Sequence, residues 1–166
     1  MNMNFQIRSY RGTTEEDSEI TSLLNRIFVK EGYTDKLLAK KLFVPAQLRK
    51  RGEIILARSP TGRLLGMAIV VHSTSLARQV AETDEAEVQL LAVYPEARCQ
   101  GIASHLIKVC EQKAMSSGYS KMVLSTQPMM KSAHSLYEQH GYKQNSKRNW
   151  SRDGKTFIVY EKLRQI

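Results

Sequence analysis

The sequence predicts a mixed α/β domain, a twisted central sheet of about seven strands flanked by about four helices, in the order β-α-α-β-β-β-α-β-α-β-β. Three observations carry this. Segments of alternating polarity, such as Phe5-Gln6-Ile7-Arg8-Ser9-Tyr10, are interleaved with segments at helical spacing, such as Ile102, Leu106, Ile107, Cys110 and Ala114. Strand–helix–strand units in the middle of the chain ask for parallel neighbours, whereas hairpin signals on either side ask for antiparallel ones. Finally, 166 residues with 42% hydrophobic and 25% charged content suit one soluble domain able to bury its own core.

Each element follows from local signals. After the first strand, Thr13 with Glu16 three residues on is a capping-box pattern, opening a helix whose apolar face is Ile20, Leu23, Leu24, Ile27 and Phe28. Gly32 ends it. A less regular helical stretch runs from about Asp35 to Arg51, broken near Pro45 because the residue before a proline avoids the helical region. Glu53 to Ser59 and Leu65 to His72 are strands joined by the turn Pro60-Thr61-Gly62. A polar connector, Ser73 to Asp84, precedes a strand from Ala86 to Tyr94 that Pro95 closes. A helix runs from Gly101 to Gly118, followed by a short strand from Met122 to Thr126. A last helix bears Ala133, Leu136 and Tyr137 on one face and stops at Gly141. Strands Tyr142 to Trp150 and Lys155 to Lys162 flank the hairpin dipeptide Asp153-Gly154.

Composition removes several classes of function. No apolar run approaches the ~18–20 residues of a membrane span, and the start, Met1 to Gln6, lacks the basic flank and apolar stretch of a signal peptide. A cytoplasmic location is therefore expected. Cys99 and Cys110 supply neither a disulfide framework nor a thiol metal site, and His72, His105, His134 and His140 have no metal-ligand spacing, so no metal is expected. The net charge of +9 favours a polyanionic ligand, whether nucleic acid, a membrane surface or a phosphorylated cofactor, and identifies none of them. Lys36, Lys40, Lys41, Arg49, Lys50 and Arg51 form a basic cluster that reads first as a solvated helix face.

The most informative stretch is Glu87 to Ser104. A strand ends at a proline, a short loop contains Arg98, and a helix opens at Gly101. Such a loop delivers backbone N–H groups to a helix N-terminus, where unpaired donors and the helix dipole favour an anion. Gly101 and Ala103 keep side chains out of the way of that approach, and Arg98 adds a cation. The glycines of the dinucleotide and nucleotide-triphosphate loops are absent.

Arg98-x-x-Gly101-x-Ala103 after a strand, Leu91-Ala92-Val93-Tyr94-Pro95-Glu96 before it and Ala133-x-x-Leu136-Tyr137-x-x-x-Gly141-Tyr142 downstream resemble the motifs of the GCN5-related N-acetyltransferase (GNAT) family. The specific motifs lie between Glu87 and Tyr142, and the amino-terminal third matches in element order. The resemblance implies acetyl-CoA as cosubstrate and direct transfer of the acetyl group to a primary amine, without an acyl-enzyme. It implies that Leu91, Ala92 and Val93 bond the pantetheine arm through a strand splayed from its neighbour. By the same likeness, the amides of Cys99, Gln100, Gly101, Ile102, Ala103 and Ser104 hold the pyrophosphate. Tyr137 stands where the family places the general acid for the leaving thiolate, although its place on the helix's apolar face also suits a core aromatic. Glu87, six residues before Val93, matches a base used by some members and equally suits a solvated carboxylate. Glu85 is its substitute on the same face of a regular strand.

Two positions depart from the family pattern. Met130 stands where members often carry a pantetheine-binding asparagine, and Ser125 where some carry a glutamate. Trp150, with Tyr142 and Phe157, either walls an acceptor pocket or packs the hairpin. His72 is a further candidate to face substrate, Cys110 belongs to the core, and Cys99 has no partner that would make it a nucleophile. The charge leaves open an acetyltransferase acting on aminoacyl-tRNA or a ribosomal protein, and a non-catalytic coenzyme- or nucleic-acid-binding module. Nucleic acid is the less favoured partner, for want of interleaved aromatics, zinc ligands or a recognition helix. A monomer and a homodimer fit equally, and the amine acceptor is unspecified.

Overall fold

A computed structural model describes residues 4–163; Met1 to Met3 of the opening segment read above lie outside them. Among the described residues there are eight strands and five α-helices, against about seven and four expected. They are β1 (Gln6–Ser9), α1 (Thr14–Leu24), α2 (Lys36–Leu42), α3 (Pro45–Arg51), β2 (Glu53–Arg58), β3 (Leu64–His72), β4 (Glu85–Val93), α4 (Ile102–Ser116), β5 (Lys121–Thr126), α5 (Lys131–Gln139), β6 (Lys143–Gln144), β7 (Trp150–Arg152) and β8 (Lys155–Leu163).

The extra elements have local causes. Pro45 opens α3 in its first turn, where a missing N–H costs nothing, and Asp35 caps α2 by accepting from the amides of Leu37 and Leu38 at 2.8 and 3.2 Å. The one irregular helix expected there is thus two short ones. The strand expected from Tyr142 to Trp150 is interrupted by a 3₁₀ turn, Ser146–Arg148, because Arg148 is drawn inward. Its guanidinium pairs with both oxygens of Glu85 (2.9 and 2.7 Å) and with Glu161 (3.0 Å), and donates to the Val80 carbonyl (2.6 Å).

The first helix begins as its sequence indicates: Thr13 Oγ1 accepts from the Glu16 amide at 3.2 Å. Glu16 reaches back past the cap to the amides of Arg11 (2.7 Å) and Gly12 (3.2 Å). Beyond Leu24 the helix widens into a π-turn, Asn25–Val29, with Lys30 N–H bonded to Asn25 O at 3.1 Å. Such turns redirect the side chains that follow, and here Phe28 reaches the cavities described below.

The sheet runs β1-β2-β3-β4-β5-β8-β6, with β7 on the other half of β8; β4 and β5 are parallel and the remaining pairs antiparallel. Two cores face its two sides. Ile102, Leu106, Ile107 and Cys110 of α4, with Tyr137 of α5, pack on Ile55, Ala68, Val88 and Leu124. Ile20, Leu23 and Leu24 of α1, with Ala39 and Leu48, pack on Leu56, Met67, Ile69 and Ala92. Burial raises the Cys110 thiol to about 12, in keeping with a core residue. Among the described residues no helix is long and apolar enough to cross a membrane.

Candidate functional site

The loop before α4 carries unpaired donors. Cys99 and Gly101 adopt left-handed φ values of 60° and 80°, and no side chain caps α4. Among the described residues the amides of Cys99 to Ser104 donate no hydrogen bond; the first in the series is His105 N–H to Gly101 O at 3.1 Å. Six consecutive uncapped donors at the start of a fifteen-residue helix form a cradle for an anion. By contrast, the starts of α1 and α2 are closed by Thr13 and Asp35. Arg98 lines the same opening, its guanidinium steadied by the Val93 carbonyl (3.3 Å) and Glu31 (3.0 Å). Ser104 Oγ is tied to His140 Nε2 at 2.9 Å, fixing the end of α5 against the first turn of α4.

A cleft opens beside the cradle because β4 and β5 diverge. Only Glu85 to Val88 pair with β5, so Gln89 to Val93 are partnered by β3 alone. At the point of divergence Leu90 takes φ 51°, and the β3–β4 register slips between Met67 and Ile69. This β-bulge inserts one residue and reverses the alternation of side chains beyond it. Ala86 and Val88 therefore share a core with Leu91 and Val93, while Leu90 and Ala92 face the other core. Opposite the bulge β3 comes close enough that a Cβ on Gly66 would lie 2.8 Å from the Ala92 carbonyl.

Two cavities meet in this cleft. One, of 660 Å³, holds the cradle, Leu91, Ala92, Val93 and one face of α5. The other, of 210 Å³, lies between α2, the bulge and the β7–β8 turn. Tyr137, Leu91, Met130, Phe28 and Tyr33 line both. Tyr137 is 6% exposed, and its phenol is pushed well above its usual range by burial and, secondarily, by Tyr160; no hydrogen bond contributes. A phenol so placed stays protonated through neutral pH, with its proton free for a new acceptor. A separate depression of 620 Å³ beside α1, between Glu15 and Tyr94, has neither cradle nor Tyr137.

The carboxylates expected to serve as base lie elsewhere. Glu87 is 1% exposed and lines neither cavity of the cleft. Its Oε2 accepts from the amides of Gln79, Val80 and Ala81 at 2.9, 3.0 and 3.1 Å, and its Oε1 from Gln89 Nε2 at 2.9 Å. Glu87 shares its strand face with Gln89, which does line the smaller cavity, but the Gln79–Ala81 segment and the Gln89 side chain cover its carboxylate and take up both oxygens. Beyond the bulge the six-residue spacing to Val93 no longer places the two on one face. Glu85 is buried against Arg148 and Lys121, which hold its carboxyl below the usual range although burial opposes this.

Other positions resolve as follows. His72 Nδ1 lies 3.2 Å from Tyr119 Oη, away from the cleft. Trp150 stacks on Phe157 at 4.1 Å and donates to Ser125 Oγ at 3.1 Å, so it packs the hairpin, and Phe157 presents the cavity wall. Met130 lines both cavities, its sulfur accepting from Thr126 Oγ1 at 3.4 Å. The basic cluster divides. Arg49 pairs with Asp17, Lys36, Lys40, Lys41 and Lys50 are exposed, and Arg51 turns into the smaller cavity. Gln89, Gln127, Arg152 and Lys155 also line that cavity. No motif marks these four; the one signal for Arg51 was its charge.

The family model for the acetyltransferase (GNAT) family matches residues 17–142, and the chain belongs to this family of acyltransferases, whose general activity is acetyl-CoA-dependent N-acetyl transfer. A curated relative, an uncharacterized N-acetyltransferase YhfO of Bacillus subtilis, is 26% identical over 80% of this chain and 87% of its own length. Among solved structures, an acetyltransferase from Streptococcus agalactiae superposes with a TM-score of 0.76 over 96% of this chain and 98% of that one, at 18% identity. The PaiA N-acetyltransferase of Thermoplasma acidophilum, solved in complex with coenzyme A, does so with 0.74 over 98% and 100%, at 15% identity. These two likenesses concern the fold.

Proposed function

We propose that the chain, acting as one transferase domain, moves an acetyl group from acetyl-CoA directly to a primary amine. The observation that carries this reading is the row of six undonated amides, Cys99 to Ser104, opening on a cavity that meets a second one at Tyr137. The residues fit the cosubstrate. The cradle suits its pyrophosphate, and Leu91, Ala92 and Val93, with no β5 partner, suit the amides of its pantetheine arm. That the Thermoplasma relative, which shares the fold, was solved in complex with coenzyme A supports coenzyme A as the ligand.

The acceptor enters from the smaller cavity. Its nitrogen lone pair forms the C–N bond to the acetyl carbon, the C–S bond breaks, and the sulfur takes the electron pair. Backbone N–H groups of the Leu91–Val93 segment stabilise the oxyanion that develops on the acetyl oxygen. Tyr137 gives its proton to the sulfur and recovers one from the new amide nitrogen through solvent. The amine must arrive neutral, and its first proton leaves to water. Glu87 and Glu85 hold structure, and Glu87 is reassigned from base to positioning residue.

The test is a thermal-shift titration with CoA and acetyl-CoA, followed by thiol release across amino acids, polyamines, aminoglycosides, peptides and tRNA. Stabilisation by both coenzymes, with acetyl-CoA-dependent thiol release on at least one amine, is expected. No stabilisation by either coenzyme would remove the reading.

A further inference from the structure

The smaller cavity is walled by three cations that meet no carboxylate directly. Arg51, Arg152 and Lys155 line it, and among the described residues none of the three forms an ion pair. This sets them apart from Arg49, Arg58, Arg63, Arg98 and Arg148, each of which meets a carboxylate. Arg51 is held instead by a neutral amide, its Nη1 donating to Gln89 Oε1 at 2.8 Å. Gln89 is fixed in turn by Glu87 Oε1 at 2.9 Å and the Ala77 carbonyl at 2.8 Å. The relay aims the guanidinium without neutralising it, and leaves its remaining donors for a ligand. Lys155 Nζ bonds the Tyr33 carbonyl, also a neutral acceptor. Arg152 lies over the Trp150 ring at 5.3 Å, a contact that orients a cation but does not discharge it.

Two carboxylates stand in the same wall, Asp35 and Asp153, and neither is in ion-pair contact with any of the three cations. Asp35 Oδ1 is committed to the amides of α2, and Asp153 is exposed in the β7–β8 turn. Burial and the neighbouring charge of Arg152 both weigh against the Arg51 cation, with Glu87 the compensating influence. A partly buried guanidinium close to a second one, with no carboxylate in contact, is stabilised when an anion binds between them.

We propose that this cavity recognises the acceptor by an anionic group, a carboxylate or a phosphate, bound by Arg51 and Arg152, so that the substrate is an amine that also carries negative charge. The proposal rests on the cavity being the acceptor site of the transferase proposed above. It assigns Glu87 and Gln89 the task of positioning Arg51, and it excludes polyamines as preferred substrates.

The chain's single tryptophan, stacked on the wall residue Phe157 and lying under Arg152, supplies a reporter that does not depend on turnover. With CoA present, its fluorescence is titrated with free amino acids against their amides, O-phosphoethanolamine against ethanolamine, and spermidine. A saturable response to the amino acids identifies a carboxylate, and one to O-phosphoethanolamine a phosphate. Either response supports the proposal if the matched amines that lack the anionic group, and spermidine, give none at equal concentration. Arg51→Gln and Arg152→Gln should each weaken the response about ten- to a hundred-fold, the size of one or two charge-assisted hydrogen bonds, while the CoA thermal shift stays unchanged. Spermidine or ethanolamine binding as tightly as the anionic partner, no response to any anion, or a full response in the double variant overturns the proposal. Loss of the CoA shift in the wild-type protein instead overturns the transferase reading beneath it.

Discussion

Val88 and Leu91 are three residues apart on β4, yet both belong to the core beneath α4, because Leu90 between them takes a left-handed φ of 51°. A regular strand would send them to opposite faces. The inserted residue lies where β4 parts from β5, and it leaves Leu91 to Val93 without a β5 partner. The bulge thus marks where the cavities open, while the Gln79–Ala81 amides and Gln89 keep the Glu87 carboxylate out of them.

Replacing Gly101 tests the cradle. Its φ of 80° disfavours any L side chain by about 1–2 kcal/mol. The space itself is ordinary, since a Cβ would come no closer than 3.6 Å to the His105 ring. Gly101→Ala is therefore expected to fold with a modest loss of stability. Gly101→Glu adds a negative charge where an anion must sit, and should abolish the CoA-dependent rise in melting temperature. Undiminished CoA affinity in folded Gly101→Glu would place the pyrophosphate elsewhere.

Tyr137→Phe keeps the buried ring and removes the proton. We expect kcat to fall about ten- to a thousand-fold, the range of general-acid contributions, with CoA affinity little changed. Because burial raises the phenol's pKa, its ionisation should impose no alkaline limb on kcat up to its ordinary value of 10.0. The two observations are checked by steady-state and single-turnover thiol release. Equal single-turnover rates in variant and wild type would end the assignment.

Glu87→Gln separates a positioning carboxylate from a base. An amide matches only one side of its surroundings: its NH₂ must face either the three amides of Gln79 to Ala81 or the Gln89 side-chain donor. A loss of about 1.5–3 kcal/mol in unfolding free energy is expected, the worth of a hydrogen bond to a charged group. The acidic limb of kcat/KM should remain where the substrate's own amine places it. Disappearance of that limb, with stability intact, would restore Glu87 as the base.

Acid should unfold the protein through the carboxylates it has paired. Burial opposes ionisation of Glu16, but the Arg11 amide and the Arg8 and Arg58 guanidiniums prevail and hold its carboxyl below the ordinary 4.5. Glu85 and Glu161 are lowered in the same way, chiefly by Arg148 working against burial. The unfolded chain binds protons first, so the stabilisation is complete above about pH 4.5 and is lost as pH falls through the lowered folded values. Urea midpoints measured from pH 7 to pH 3 should drop mainly below 4.5. Glu16→Gln should be less stable at pH 7 and lose less on acidification; an equal loss would show that Glu16 is not among the responsible groups.

The sequence by itself determined what local chemistry can determine. Thr13 and Glu16 start α1, Pro95 and Gly101 bracket the cradle loop, and Asp153-Gly154 turns the last hairpin, because caps, prolines and left-handed glycines act within a few residues. It also determined the family, since Arg98, Gly101, Ala103, Leu136, Tyr137 and Gly141 stand at fixed spacing around that loop. Only the tertiary structure decided the rest. Alternation along β4 gave no sign of a bulge, because what holds Leu90 in a left-handed conformation is the pairing with β3 and the two cores it serves. Arg51 read as one more charge in a basic run until the fold set it beside Gln89 and Arg152, 38 and 101 positions away in the chain. Charge and polarity are written residue by residue, whereas burial, and with it the demand for a partner, is a property of everything packed around them.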